Sequence, residues 1–236
     1  MKIPNRPHEW DVSYDEARAI QERLAPRVRL EPLREGEIDL VAGADMALSK
    51  PHDLFFASVV VMSYPEMEIM EKRTVRCEAS FPYIPGLLSF REAPAVLGAM
   101  ERLEQRPDAV IFDGQGIAHP RRLGLAAHLG LWLDLPSVGC AKSRLVGEHD
   151  EPGAEKGAWT VLEDEGERIG TVLRTRTDVS PVFVSPGHLC DHRSAWELVL
   201  NCAVRYRLPE PTRQAHLCVG RAKREFLEDH RGDSSH

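Results

Sequence analysis

Residues 108–116, DAVIFDGQG, decide the fold. Asp108 to Phe112 form a short apolar strand, and the chain runs from it into Asp113-Gly114. Upstream lie three β-rich runs, 38–47, 54–62 and 69–79, with turns expected at 50–53 and 64–66, which suits an antiparallel meander. Downstream the pattern alternates: an apolar helix at 123–133, a buried strand at 137–141, a hairpin over 159–176 turning near Glu165-Gly166, and the short strand VFV. Helices are expected at 14–25, 91–105, 194–205 and from 212 to about 229, with Pro94 tolerated in the first turn of the second. Strands first, then strand and helix in alternation, predict an α/β or α+β fold with a mixed sheet flanked by helices.

In such sheets functional groups collect at the carboxyl ends of parallel strands, where Asp113 stands. Asp45 raises the same question, since it interrupts a strand otherwise made of Val41, Ala42, Gly43, Ala44, Met46 and Ala47. A carboxylate among small apolar groups needs a partner, and for either aspartate alone an arginine or a ring of N–H groups is the ordinary answer. Glu92, at the expected start of a helix, is ordinarily a favourable charge on the helix dipole. Taken together, two strand aspartates and a glutamate suit one hard cation, which prefers oxygen ligands. Such an ion, alone or with a second about 4 Å away, supports phosphodiester hydrolysis.

Five blocks surround these acids: FPYIPGLLSFRE at 81–92, FDGQGIAHPRRLGLAAHLG at 112–130, VGCAKSRLVG at 138–147, VFVSPGHL at 182–189 and YRLPEPTRQAH at 206–216. In order and spacing, from about Ile38 to His216, they resemble the endonuclease V family, nucleases that act at deaminated bases. The resemblance implies a ribonuclease H-like fold, a requirement for Mg²⁺ with Mn²⁺ able to substitute, and recognition of hypoxanthine. It also implies hydrolysis of the second phosphodiester on the 3′ side, leaving 3′-OH and 5′-phosphate. By motif match Asp45 and Asp113 look like direct metal ligands, Glu92 completes the acidic site, Lys142 resembles a phosphate-contacting lysine, and His216 falls near the scissile phosphate. Pro82-Tyr83-Ile84-Pro85 resembles a wedge that fills the gap left by an extruded base; a buried loop anchor is the alternative for Tyr83. Gly86, Leu88, Gly114 and Leu145 match positions lining the base pocket. His119-Pro120-Arg121-Arg122 is expected to open a helix, with His119 supporting the site and Arg121 and Arg122 meeting the DNA backbone; an ordinary helix start with solvated arginines is the alternative, weighted equally for Arg122.

The resemblance further implies one nuclease domain over 1–236, with an N-terminal helical extension over 1–30 and a C-terminal helix and tail over 217–236. It implies a monomer acting on double- or single-stranded DNA that contains deoxyinosine. Inosine-specific cleavage of RNA is the alternative, and a lesion binder with a dead site a lesser one. MKIPNRPHEW has no apolar h-region, no stretch reaches the length of a membrane span, and Cys77, Cys140, Cys190, Cys202 and Cys218 fit reduced thiols, so a cytoplasmic protein is expected. The formal charge is −7, but residues 146–167 hold eight acids against one lysine, whereas 168–224 hold ten Lys/Arg against four acids. That basic half is a candidate phosphate-facing surface. Rival motifs are weaker. GQG at 114–116 has His119 where a dinucleotide turn wants its third glycine. HLCDH at 188–192 lacks the paired spacing of a zinc site, and Cys140 has no histidine base assigned by any block.

Overall fold

A computed structural model of the protein describes residues 1–34, 36–78 and 81–230. Ala79, the last residue of the third expected strand, and the tail beyond His230 lie outside the described residues. Helix α1 (Tyr14–Leu24) is followed by the meander β1 (Leu40–Ser49), β2 (Leu54–Ser63) and β3 (Ile69–Glu78). Then come α2 (Leu88–Glu101), β4 (Ala109–Phe112), α3 (Leu125–Leu133), β5 (Ser137–Ala141), the hairpin β6 (Trp159–Asp164) and β7 (Glu167–Leu173), and β8 (Val182–Pro186). Helices α4 (His192–Cys202) and α5 (Glu210–Asp229) follow. The strands form one mixed sheet in the order β3-β2-β1-β4-β5-β8-β7-β6.

Only the centre of that sheet is parallel: β4 pairs in parallel with β1 on one side and β5 on the other. Its four residues are buried on both faces, as a parallel strand requires, and each large apolar side chain there contributes about 1.5–3 kcal/mol over exposure. Period-two alternation sends Ala42 and Ala44 to the face covered by α2 and α3, and Val41 to the face covered by α4. Gly43 shares the face of Val41. A Cβ there would lie 2.0 Å from the Pro211 carbonyl carbon, so the first turn of α5 rests directly on the β1 backbone.

Two expectations about helix starts are corrected. Helix α2 begins three residues earlier than its period suggested, at Leu88, so Pro94 lies inside the helix and Glu92 is beyond the first turn. Proline is common at a helix start, which pulled the expected boundary toward it. No helix opens at His119-Pro120-Arg121-Arg122 either. Those residues make a turn in which Arg122 N–H donates to the His119 carbonyl (2.9 Å) and Arg122 has φ +54°, and α3 starts only after Gly124.

The first thirteen residues also join the body. The Asn5 amide donates to the Leu131 carbonyl (3.0 Å), Trp10 stacks on Trp132 with ring centroids 4.7 Å apart, and His8 Nε2 meets His128 Nε2 at 2.7 Å. Helix α1 is closed by a capping box between Ser13 and Glu16 and buries Ala17, Ile20, Gln21 and Leu24. Among the described residues no helix is long and apolar enough to cross a membrane.

Candidate active site

The parallel pairing of β1 with β4 ends at Ala44 and Phe112, and both chains continue straight into an aspartate. Asp45 and Asp113 therefore emerge side by side, and Asp113 N–H still reaches back to the Ala44 carbonyl (3.4 Å). On the far side of β4, Phe112 pairs with Gly139, and β5 ends at Ala141 so that Lys142 is next. Three adjacent strands thus deliver Asp45, Asp113 and Lys142 to one edge, and the Lys142 ammonium pairs with Asp113 Oδ2. Asp45 points to the α5 face, where His216 Nδ1 donates to its Oδ2 at 2.7 Å. The close seat of α5 on Gly43 sets that contact.

Glu92 comes from the second turn of α2. Burial pushes its carboxyl up to about 8, and the Asp45 and Asp113 carboxylates push the same way, against Arg91. Asp45 is raised by burial and then by Asp113, with the His216 hydrogen bond opposing. Glu92 thus senses both aspartates and Asp45 senses Asp113, which places the three in one electrostatic neighbourhood. The donor set suits a hard dication: three carboxylates and no thiolate, crowded enough that positive charge among them relieves their repulsion. Among the described residues no three His, Cys, Asp or Glu groups form a ready metal cage.

Beside the acids opens a cavity of about 370 Å³. Its walls include Tyr83, Ile84, Pro85, Gly86, Leu88, Gly114, His119 and Leu145, along with Asp113 and Lys142 themselves. Tyr83 is 69% exposed, so it is no buried anchor; Phe81 and Ile84 pack into the core and hold the loop instead. Pro82 and Arg121 lie outside the cavity wall. Gly86, at φ +78°, turns its carbonyl toward three donors: Gln21 Nε2 (3.1 Å), His119 Nε2 (3.0 Å) and Arg121 Nη2 (2.7 Å). Since Arg121 N–H donates to His119 Nδ1 (3.1 Å), the ring carries its proton on Nε2, and burial with Arg121 nearby lowers its pKa to about 4. His119 and the Arg121 guanidinium are thus engaged in holding the loop at Gly86. Arg122 pairs with Asp164 (2.9 Å) and Glu167 (2.7 Å) on the β6–β7 hairpin, which fits neither of its expected roles.

Sequence reasoning missed two residues here. Gln21 was only part of an amphipathic helix, although a polar side chain on its apolar face was a signal. Gln115 is buried, gives its amide N–H to the Ser143 carbonyl (3.0 Å), and leaves Oε1 without a hydrogen-bond partner on the cavity wall. The basic half of the chain is also less free than its sequence suggests. Arg174 pairs with Glu151, Arg193 with Glu197 and Arg213 with Glu210.

Rival motifs fail on geometry. A Cβ at Gly116 would lie 1.9 Å from the Pro186 carbonyl oxygen, so that glycine serves strand packing and not a phosphate. His188 Nδ1 accepts the Arg29 N–H (3.2 Å), and Cys190 is fully buried. Burial pushes the Cys140 thiol far up, which makes it a poor nucleophile.

Comparison with known proteins agrees. The family profile described as Endonuclease V matches residues 22–217. The chain belongs to the endonuclease V family. It is 51% identical to the Endonuclease V of Methanothrix thermoacetophila over 212 residues, covering 89% of this chain and 92% of that one. Among solved structures, the Endonuclease V of Streptomyces avermitilis superposes with a TM-score of 0.88 at 40% identity, covering 92% of this chain and 96% of that one. The Endonuclease V of Ciona intestinalis, solved with DNA containing an inosine followed by a ribo-adenosine, gives 0.80 at 27% identity, covering 90% and 98%. The chain has the ribonuclease H-like fold that the resemblance implied, and it is a nuclease.

Proposed function

We propose that this endonuclease V nicks DNA beside deaminated adenine, taking hypoxanthine into the cavity between Tyr83 and Leu145 and hydrolysing the second phosphodiester on its 3′ side. The observation that carries this is continuity: the wall that would hold the base includes Asp113 and Lys142, so one cleft joins base recognition to the carboxylates. The Ciona intestinalis relative, bound to inosine-containing DNA, supports the same substrate.

Extrusion of the base leaves a gap in the stack, and the exposed Tyr83 ring, stiffened by Pro82 and Pro85, is placed to fill it. Hypoxanthine differs from adenine at its O6 and N1–H edge. Gly114 lets the backbone approach that edge, and the unpartnered Gln115 Oε1 offers an acceptor on the same wall. Gln21, His119 and Arg121 keep the loop closed on the base through the Gly86 carbonyl.

Asp45 and Asp113 would hold Mg²⁺, with Mn²⁺ able to replace it, and Glu92 completes the acidic set. A dication there supplies positive charge against the negative charge gathering on the phosphoryl oxygens. Lys142 steadies the scissile phosphate with an ammonium positioned at its edge. His216, with Nδ1 committed to Asp45, keeps Nε2 for the phosphate or its leaving oxygen. The products are a 3′-OH and a 5′-phosphate.

The test is cleavage of end-labelled oligonucleotides carrying deoxyinosine, riboinosine or neither, with Mg²⁺ and with EDTA. A Mg²⁺-dependent nick one nucleotide beyond deoxyinosine is expected. Cutting only beside riboinosine moves the function to RNA, and binding without cutting by folded protein makes it a lesion binder.

A further inference from the structure

A second cavity, of about 590 Å³, lies between the far ends of β1 and β2 and the start of α2. It shares Tyr83 and Leu88 with the first, so one ridge separates the two. Asp113 and Lys142 border the first cavity and Glu92 borders the second, which leaves the catalytic edge between them. We propose that this second cavity is a subsite for the unstacked base of the nucleotide immediately 3′ of the scissile phosphate. The inference rests on the lesion entering the first cavity.

Chain direction makes the assignment. A strand with its lesion base in the first cavity and its second 3′ phosphate at the carboxylates has one nucleotide between them. Its next nucleotide leaves the catalytic edge on the Glu92 side, where the second cavity opens. The lining chemistry suits a base. Met46 and Leu48, two residues apart on one face of β1, give an apolar floor beside Phe55. The Arg91 guanidinium lies over the Phe55 ring at 5.4 Å, and its ion pair with the exposed Asp53 is loose at 3.6 Å. Lys50 adds a second cation to the lining. Phe55 is 3% exposed beneath that guanidinium, so the face open to a base is the apolar floor with cations at its rim, an arrangement that holds a single strand by apolar contact while its phosphates meet positive charge. Met46, Leu48 and Leu88 carry no hydrogen-bonding side chain to read a base edge, so the subsite takes any base and adds affinity without adding sequence preference.

The experiment uses the full-length protein and single-stranded oligonucleotides with deoxyinosine at a fixed position. One carries an abasic tetrahydrofuran at the nucleotide following the scissile phosphate, and a control carries it one nucleotide farther along. For the unaltered protein, kcat/KM is expected to fall about tenfold on the first and less than about twofold on the control. Leu48→Glu, with folding checked by thermal melting, should lose about as much on the intact substrate yet cut the abasic one as well as the unaltered protein does. Equal cleavage of all three substrates by the unaltered protein overturns the subsite, and that measurement needs no variant to fold. Failure to cut the intact deoxyinosine substrate would instead remove the reading on which the subsite rests.

Discussion

Two parts of this molecule are crowded with acids, and they treat them in opposite ways. On the β6–β7 hairpin the carboxylates of Asp164 and Glu167 share one guanidinium, Arg122, and nearby Glu151 has Arg174. At the carboxyl edge of β1 and β4, Asp45, Asp113 and Glu92 are gathered beside one another, and two of them bind protons more tightly than usual. Their partners are a lysine and a histidine, each able to turn toward a phosphate. A surface that only needs solubility pairs its acids with arginine. Acids packed close and left short of cations are an arrangement that stability alone does not favour, and a bound dication gives it a purpose.

Neutralising the two groups tests that contrast most directly. Asp113→Asn or Asp45→Asn should lower the cleavage rate about a thousandfold or more while the melting temperature holds or rises, read by single-turnover kinetics and thermal melting. An unchanged rate would remove the centre from catalysis. Lys142→Met takes away the cation at the edge and should cost about a hundredfold in kcat, with oligonucleotide affinity in EDTA changed far less.

The clamp on the loop at Gly86 lies between the two extremes. Gly86→Ala forces a side chain onto φ +78° and sets its Cβ 2.9 Å from Arg121 Nη2. A loosened loop should raise KM about tenfold with a smaller change in kcat, and a purely catalytic defect would contradict the positioning role.

Acid sharpens the comparison without any mutation. His119 and His192 are held neutral down to about 4, mainly by burial. Unfolded histidines bind protons near pH 6.5 while the folded ones refuse them, so stability should fall as pH drops from about 6.5 toward 4. Urea midpoints at pH 7 and pH 5 measure this, and equal midpoints would mean that these rings reach water. The smallest effect belongs to the hairpin. Glu167→Gln should cost at most about 1 kcal/mol of stability and leave cleavage within about twofold, since the side chain is more than half exposed.

Much of this layout was legible in the sequence, because strand and helix periods are local. The strands before Asp113 and Lys142 follow from apolar runs that stop at a polar residue, Asp45 stood out as a charge inside one, and the proline pair explains the stiff loop under Tyr83. Where the sequence misled, the cause was contact at a distance. Helix α2 starts early at Leu88 although Pro94 suggested a later start. The Gln21–Gly86–Arg121 clamp joins three segments with no shared period. Arg174 of the basic half looked free for phosphate until folding brought Glu151 to it from 23 residues away, whereas Arg193 and Arg213 are paired within a helical turn by Glu197 and Glu210, a spacing the sequence already showed.

The seat of α5 on Gly43 makes helix docking and site assembly a single event. Asp45 and the His216 that holds it are 171 residues apart, so their contact exists only while α5 rests on the β1 backbone. Whatever lifts the helix, a side chain at position 43 included, takes the carboxylate's partner away with it.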